Sequence, residues 1–142
     1  MCVEVLEHLP KPSAAITEFS RLLKQSGKLI LTAPFCSLTH FSPYHFSTGF
    51  NRYWYEKILE EAGFKIIEIE QNGNYFDYLA QELRRVEHIA KKYSGKTIGK
   101  SGRKAITEVL KKLNDYSKLD SGSGELLCFG YHVLAEKLYD SL

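Results

Sequence analysis

Val3-Glu4-Val5-Leu6-Glu7-His8-Leu9-Pro10 is the stretch whose reading decides the fold. An apolar run beginning at Cys2 and reaching Leu6 reads as a short buried strand. It stops at a carboxylate, an imidazole and a proline. Side chains that want an apolar interior give way within two residues to side chains that want water, a ligand or each other. Open α/β sheets place their ligands at the carboxyl ends of strands, where the chemistry changes in this way.

Working outward, Pro10 and Pro12 break the chain, and Ser13 is placed to cap a helix. Ile16, Phe19, Leu22 and Leu23 follow at helical spacing, and Gly27 is the expected left-handed stop. Leu29 to Ala33 is a continuous apolar strand, the pattern of a parallel sheet covered on both faces, and Pro34 ends it. Strand, helix and strand in succession make a βαβ unit with a right-handed crossover. Asn51 caps a further helix with Trp54, Ile58, Leu59 and Ala62 inward, and Gly63 closes it. In the next strand, Phe64 to Gln71, Ile67 and Ile69 alternate with Glu68 and Glu70, the signature of a half-buried strand near an edge.

Asn72-Gly73-Asn74 is turn chemistry, and a long helix starts from Asn74. Phe76, Leu79, Leu83, Val86, Ala90 and Tyr93 alternate spacings of three and four, a seam for packing on another surface or on a second copy of the chain. Ser94 to Gly102 breaks this helix, and a second runs from about Lys104 to Tyr116. Gly95-Lys96-Thr97-Ile98-Gly99-Lys100-Ser101 has three residues between its glycines and follows a helix, so it is not a phosphate-binding loop. Ser121 to Gly124 is a flexible connector. Leu126 to Ala135 is apolar on both faces, as suits an interior strand.

The 142 residues, 44% hydrophobic and 25% charged, suit one globular domain with a real core. No apolar run approaches the ~20 residues that cross a bilayer, and Glu4 and Glu7 stand where a signal peptide is basic. Cys2, Cys36 and Cys128 match no zinc spacing and no disulfide framework, which suits reduced thiols in the cytoplasm. The net charge of +2 hides ten basic residues between Arg84 and Lys112, opposed only by Glu87 and Glu108. A solvated helical face explains them; RNA, a membrane surface or an acidic substrate would also use them.

Val-Glu-Val-Leu-Glu-His-Leu-Pro at residues 3–10 resembles the fourth-strand motif of class I S-adenosylmethionine (SAM)-dependent methyltransferases. The likeness is to the type 11 small-molecule enzymes and the ubiquinone-biosynthesis O-methyltransferases. It extends through the βα pattern to Gln71, and Gly130 to Lys137 looks like the family's last strand, which runs antiparallel between two others. The resemblance implies an α/β fold: a partial Rossmann-like methyltransferase sheet from its fourth strand onward. One domain over residues 1–142 would carry a helical insertion at about 74–120. The glycine-rich SAM loop precedes this motif in the family and has no counterpart here, so the expectation is the carboxyl-terminal half of such a domain. The implied activity is methyl transfer from SAM to a small-molecule O, N or C acceptor. No membrane partner is expected.

The resemblance also names residues. The backbone at Val3 and Glu4 would meet the methionine part of SAM. Glu4-x-x-Glu7-His8 matches the set with which some relatives hold a divalent metal, so Glu4, Glu7 and His8 are candidate ligands for Mg²⁺, or for Mn²⁺, and His40 or His45 could complete the set. The segment Phe35 to Phe50 concentrates aromatics and imidazoles after a strand. It reads as a pocket wall, or as a loop that packs its rings on the sheet. Within it, His40 and His45 are candidate general bases because imidazole titrates near neutral pH. Two further readings compete. One is a non-catalytic binding or oligomerisation module, associating through the edge of the sheet at Val3 or the Phe76–Tyr93 helix. The other is a nucleic-acid-associated methyltransferase using residues 84–112.

Overall fold

The computed structural model describes residues 1–138. The chain divides into two compact units. One comprises Met1–Asn72 together with the stretch from Phe129 onward, and the other is Gly73–Cys128.

The first unit is an α/β layer built on a four-stranded mixed sheet. Its strands are β1 (Cys2–Val3), β2 (Lys28–Pro34), β3 (Phe64–Asn72) and β4 (Gly130–Lys137), in the order β1-β2-β4-β3. β1 runs parallel to β2, pairing Cys2 with Leu31 and Val3 with Thr32. β4 runs antiparallel to both neighbours, pairing Leu31 with Val133 and Ile69 with Val133. The expected antiparallel last strand between two others is therefore present. It starts at Gly130 rather than Leu126, which lies 76% exposed beyond a 3₁₀ turn at Ser123–Glu125.

Helices α1 (Pro12–Leu22) and α2 (Arg52–Glu61) join successive strands. Leu29, Leu31 and Ala33 of β2 and Tyr131, Val133 and Ala135 of β4 are buried. They lie on the face where the ring of Tyr55, from α2, meets Tyr131 at 6.0 Å. Lys137 points the same way, and its buried Nζ donates to the carbonyls of Ser20 and Leu23 at the end of α1, at 2.6 and 2.9 Å. On the opposite face Ile30 is 45% exposed, so β2 is not covered on both sides as its continuous apolar run led one to expect.

Other local details differ from the sequence reading. β1 is only two residues long, and Leu6–His8 forms a 3₁₀ turn, because Glu4 takes a left-handed φ of 51° and ends the extended backbone. α1 starts at Pro12, which fills the first helical position, and Ser13 caps nothing. The left-handed residue after α1 is Ser26, not Gly27; Gly27 is needed because a Cβ there would lie 2.7 Å from the Lys24 carbonyl oxygen. A bulge between Ile66 and Glu68 breaks the alternation of β3, leaving Ile67 exposed while Ile66 and Ile69 are half-buried. Asn51 does cap α2, accepting from the Trp54 amide at 3.0 Å, and Gly63 follows with φ 81°.

The second unit is a pair of helices, α3 (Tyr75–Ser94) and α4 (Gly99–Lys118). Asn74 caps α3 through the amides of Phe76 and Asp77, and Gly95, left-handed at φ 68°, ends it. α4 starts at Gly99, five residues before the expected Lys104. Its packed residues, Gly102, Ile106, Leu110, Leu113 and Ser117, recur at three and four. Ser117 donates to Asp77 at 2.8 Å, and the rings of Phe76 and Tyr116 lie 5.6 Å apart. Among the described residues no helix is long and apolar enough to cross a membrane.

Candidate functional site

The residues after β1 and the loop after β2 are held together by backbone hydrogen bonds. The carbonyl of Glu7 accepts from the amides of Phe46 and Ser47 at 2.9 and 3.2 Å. Within the loop, the Ser37 amide donates to the Thr48 carbonyl at 2.6 Å, and the Phe50 amide donates to Pro34 at 2.8 Å. Gly49 makes that closure possible: its φ is 147°, and a Cβ would lie 2.3 Å from the Pro34 carbonyl oxygen.

This docking gathers three imidazoles. The ring centroids of His8 and His40 are 4.8 Å apart, those of His40 and His45 4.6 Å, and those of His8 and His45 5.9 Å. The Glu7 side chain lies beside them, 1% exposed, with Oε1 3.6 Å from Nε2 of His8. Its other oxygen, Oε2, is buried with no hydrogen-bond partner. One ligand atom each from Glu7, His8 and His40 lie within 4.8 Å of one another. The nearby Cys2 thiol is pushed up chiefly by its burial; the amino terminus opposes this and the Glu7 charge adds to it.

The tautomers follow from the partners. A carbonyl oxygen only accepts. Nδ1 of His8, 2.5 Å from the Tyr44 carbonyl, therefore carries a hydrogen, as does Nδ1 of His40, 2.9 Å from the Leu38 carbonyl. In the neutral rings this leaves lone pairs on both Nε2 atoms. Ser37 donates its hydroxyl to Thr48 at 3.0 Å, so it accepts from Nε2–H of His45 at 3.2 Å, and the lone pair of neutral His45 is on Nδ1.

The expected metal set of Glu4, Glu7 and His8 is not assembled. The Glu4 carboxylate accepts from the Thr32 hydroxyl at 2.8 Å, and its amide donates to the Thr32 carbonyl at 2.9 Å, so Glu4 is tied to Thr32 of β2 and stands outside the cluster. His40 takes its place. That donor set, one carboxylate and two imidazoles, does not suit Mg²⁺, which prefers oxygen ligands. Val3 and Glu4, the expected contacts for SAM, lie at the carboxyl end of β1, with Val3 45% exposed. What the sequence did not reveal is the orienting carbonyls of Leu38 and Tyr44. Loop backbone leaves no side-chain signature.

In the second unit, Arg85, Arg103 and Lys111 are paired with Glu82, Glu87 and Glu108 respectively. A hollow of about 680 Å³ there is lined by Phe76, Tyr116, Leu119 and the loop from Asp120 to Glu125, and includes none of the histidines.

No protein-family model matches the chain, and no curated protein sequence matches it. Among solved structures, the chain is similar to the [4+2]-cyclase SpnF, with 20% identity and a TM-score of 0.46 over 96% of this chain and 48% of that one. It is also similar to phosphoethanolamine N-methyltransferase 2 of Haemonchus contortus, solved with S-adenosyl-L-methionine. There the identity is 18% and the TM-score 0.49, over 96% of this chain and 32% of that one. The chain thus spans about half and about a third of these two proteins.

Proposed function

We propose that this chain forms the acceptor-side half of a SAM-dependent methyltransferase that acts on a small-molecule O, N or C nucleophile. The observation that supports this best is the strand order: β1 and β2 parallel, with the last strand inserted antiparallel between β2 and β3. It is the arrangement that the Glu-x-x-Glu-His-Leu-Pro resemblance implied. In this reading the carboxyl end of β1, at Val3 and Glu4, faces the methionine part of SAM, and the loop bearing His40 and His45 faces the acceptor.

SAM supplies the methyl group on a sulfonium sulfur. Once bound, it would pass that methyl to the acceptor's lone pair, the sulfur leaving as a thioether. The protein's share is to hold the two in line and keep water out. An acceptor that enters protonated must lose a proton. His45, whose Nδ1 carries a lone pair, is the residue assigned to take it, with His40 beside it.

Calorimetry with S-adenosylhomocysteine tests this on the longest chain the coding region encodes. Binding with a Kd of about 1 μM, lost when the segment bearing Val3 is deleted, is expected. The absence of both heat of binding and any Gly-x-Gly-x-Gly loop upstream of Met1 would overturn it.

A second reading, self-association, is favoured by the uncovered surface. β1 is a terminal strand of the sheet, and Val3, Val5 and Ile30 are each more than 40% exposed. Unpaired strand edges with apolar neighbours are templates for another chain. Light scattering should give a mass above that of the monomer, and Ile30→Lys should lower it. A monodisperse monomer would exclude this reading.

A further inference from the structure

The helices of the second unit carry more apolar surface than their contact with each other covers. Ala80 is the buried residue of α3 and Leu113 that of α4. The pair runs antiparallel: Asp77 at the start of α3 meets Ser117 at the end of α4, and Glu87 meets Arg103 nearer the turn. One position before the packed residues of each helix runs a second stripe. On α3 it is Leu79, Glu82, Val86, Ile89 and Tyr93, alternating spacings of three and four. On α4 it is Ala105, Val109, Lys112 and Tyr116. A step back of one residue turns a helical side chain by about 100°. In antiparallel neighbours that step turns both stripes to the same side of the pair. Val86, Ile89, Tyr93, Val109 and Tyr116 are all exposed there. Such spacing is the seam of a helix that packs on other helices.

Charge is also divided along the pair. From Lys91 to Lys104, around the turn that joins the helices, stand six basic residues and no acidic one. At the open end, Asp77, Glu82, Asp115, Asp120 and Glu125 outnumber Lys111, Lys112 and Lys118. We infer that a second copy of this chain covers the apolar face and completes a four-helix bundle. The two-fold axis crosses the helices, so that each basic turn lies against the acidic end of the other copy. Like ends together would set cations beside cations, which charge repulsion disfavours. A two-fold relation makes one face its own complement. Each helix has 20 residues. Such helices are about 30 Å long, and two side by side are about 20 Å wide. Two copies therefore bury on the order of 1,200 Å², enough for a specific interface. The inference requires neither pairing at the edge of β1 nor methyl transfer.

The test is sedimentation equilibrium of the chain at concentrations from about 1 to about 100 μM. A monomer–dimer equilibrium is expected. Val86→Glu with Ile89→Glu should weaken it at least about tenfold, with an unchanged circular dichroism spectrum. Charge reversal gives a second set of variants at exposed positions. Lys91→Glu with Lys96→Glu should weaken association, as should Asp115→Lys with Glu125→Lys. All four changes together should restore it, because they invert the polarity of both copies. A monomer at the highest concentration would overturn the inference, as would failure of the fourfold reversal to restore association. A dimer that Ile30→Lys dissociates and the helix variants do not would also overturn it, and would leave the pairing at β1 standing. A monomer that sediments with phosphatidylserine vesicles would assign the face to a membrane instead. None of these outcomes bears on the calorimetric test of cofactor binding.

Discussion

Glu4 and Thr32 are joined twice across β1 and β2: hydroxyl to carboxylate at 2.8 Å, and amide to carbonyl at 2.9 Å. Glu4 makes these contacts with φ at 51°, a region in which a side chain is strained. Glu4→Ala removes the side-chain bond and keeps the strain, for a loss of about 1 kcal/mol. Glu4→Gly removes both, and should be about 1 kcal/mol more stable than the alanine variant. Urea unfolding of the two variants compares them directly. Equal stabilities would mean that the left-handed backbone costs nothing.

Gly49 holds the histidine loop closed. Its Cβ would fall 2.3 Å from the Pro34 carbonyl oxygen and 2.4 Å from that of Phe35, at a φ of 147°. Gly49→Ala should destabilise the chain by about 2–4 kcal/mol, combining backbone strain with overpacking. It should also loosen the docking of the loop on Glu7, because the amides that donate to the Glu7 carbonyl lie two and three residues away. Thermal unfolding and hydrogen exchange at the Phe46 and Ser47 amides measure the two effects.

Lys137 carries its charge into the interior, where the carbonyls of Ser20 and Leu23 accept from it. Lys137→Met preserves the length of the side chain and removes those donors. A loss of about 2–4 kcal/mol is expected, since hydrogen bonds from a charged donor are lost and buried carbonyls are stranded. Chemical denaturation gives the number, and a loss under 1 kcal/mol would show that the cluster relaxes.

The hydrogen bond from Lys28, and then its charge, hold the Glu136 carboxyl below its ordinary value. A carboxyl more acidic in the folded state adds stability at pH values above its unfolded pKa, and that share fades as pH falls through the folded pKa. Glu136→Gln should therefore show a shallower loss of stability than the parent chain between about pH 5 and about pH 3. Denaturant midpoints over that range check it. The Glu136 side chain is 25% exposed and its partner Lys28 53%, so salt should shrink the difference.

The Asn74 side chain accepts from the amides of Phe76 and Asp77, and donates to the Ser117 hydroxyl at 3.0 Å. Asn74→Ala should cost about 1–2 kcal/mol, because the first turn of α3 loses its cap and α4 loses a tether. Hydrogen exchange should register the change first at the start of α3.

Local features governed by local physics were legible in the residues. Asn51 and Gly63 bound α2, α3 ends where the break at Ser94 was expected, and β4 pairs on both sides, because capping, breaker residues and apolar periodicity act over a few residues. The bulge in β3 was not legible: Ile66, Ile67 and Ile69 satisfy either register, and the partner strand chooses. Nor was the exposed face of β2, since a run of apolar residues reads alike whether one side or both are covered.

For the site, the sequence alone determined that Glu7 and His8 follow a strand and that His40 and His45 share one loop. Tertiary structure decided which of them meet. The amides of Phe46 and Ser47 dock that loop on Glu7, and Thr32 draws Glu4 away. Contacts between residues about 30 positions apart depend on loop closure and backbone hydrogen bonds, which spacing along a chain does not encode.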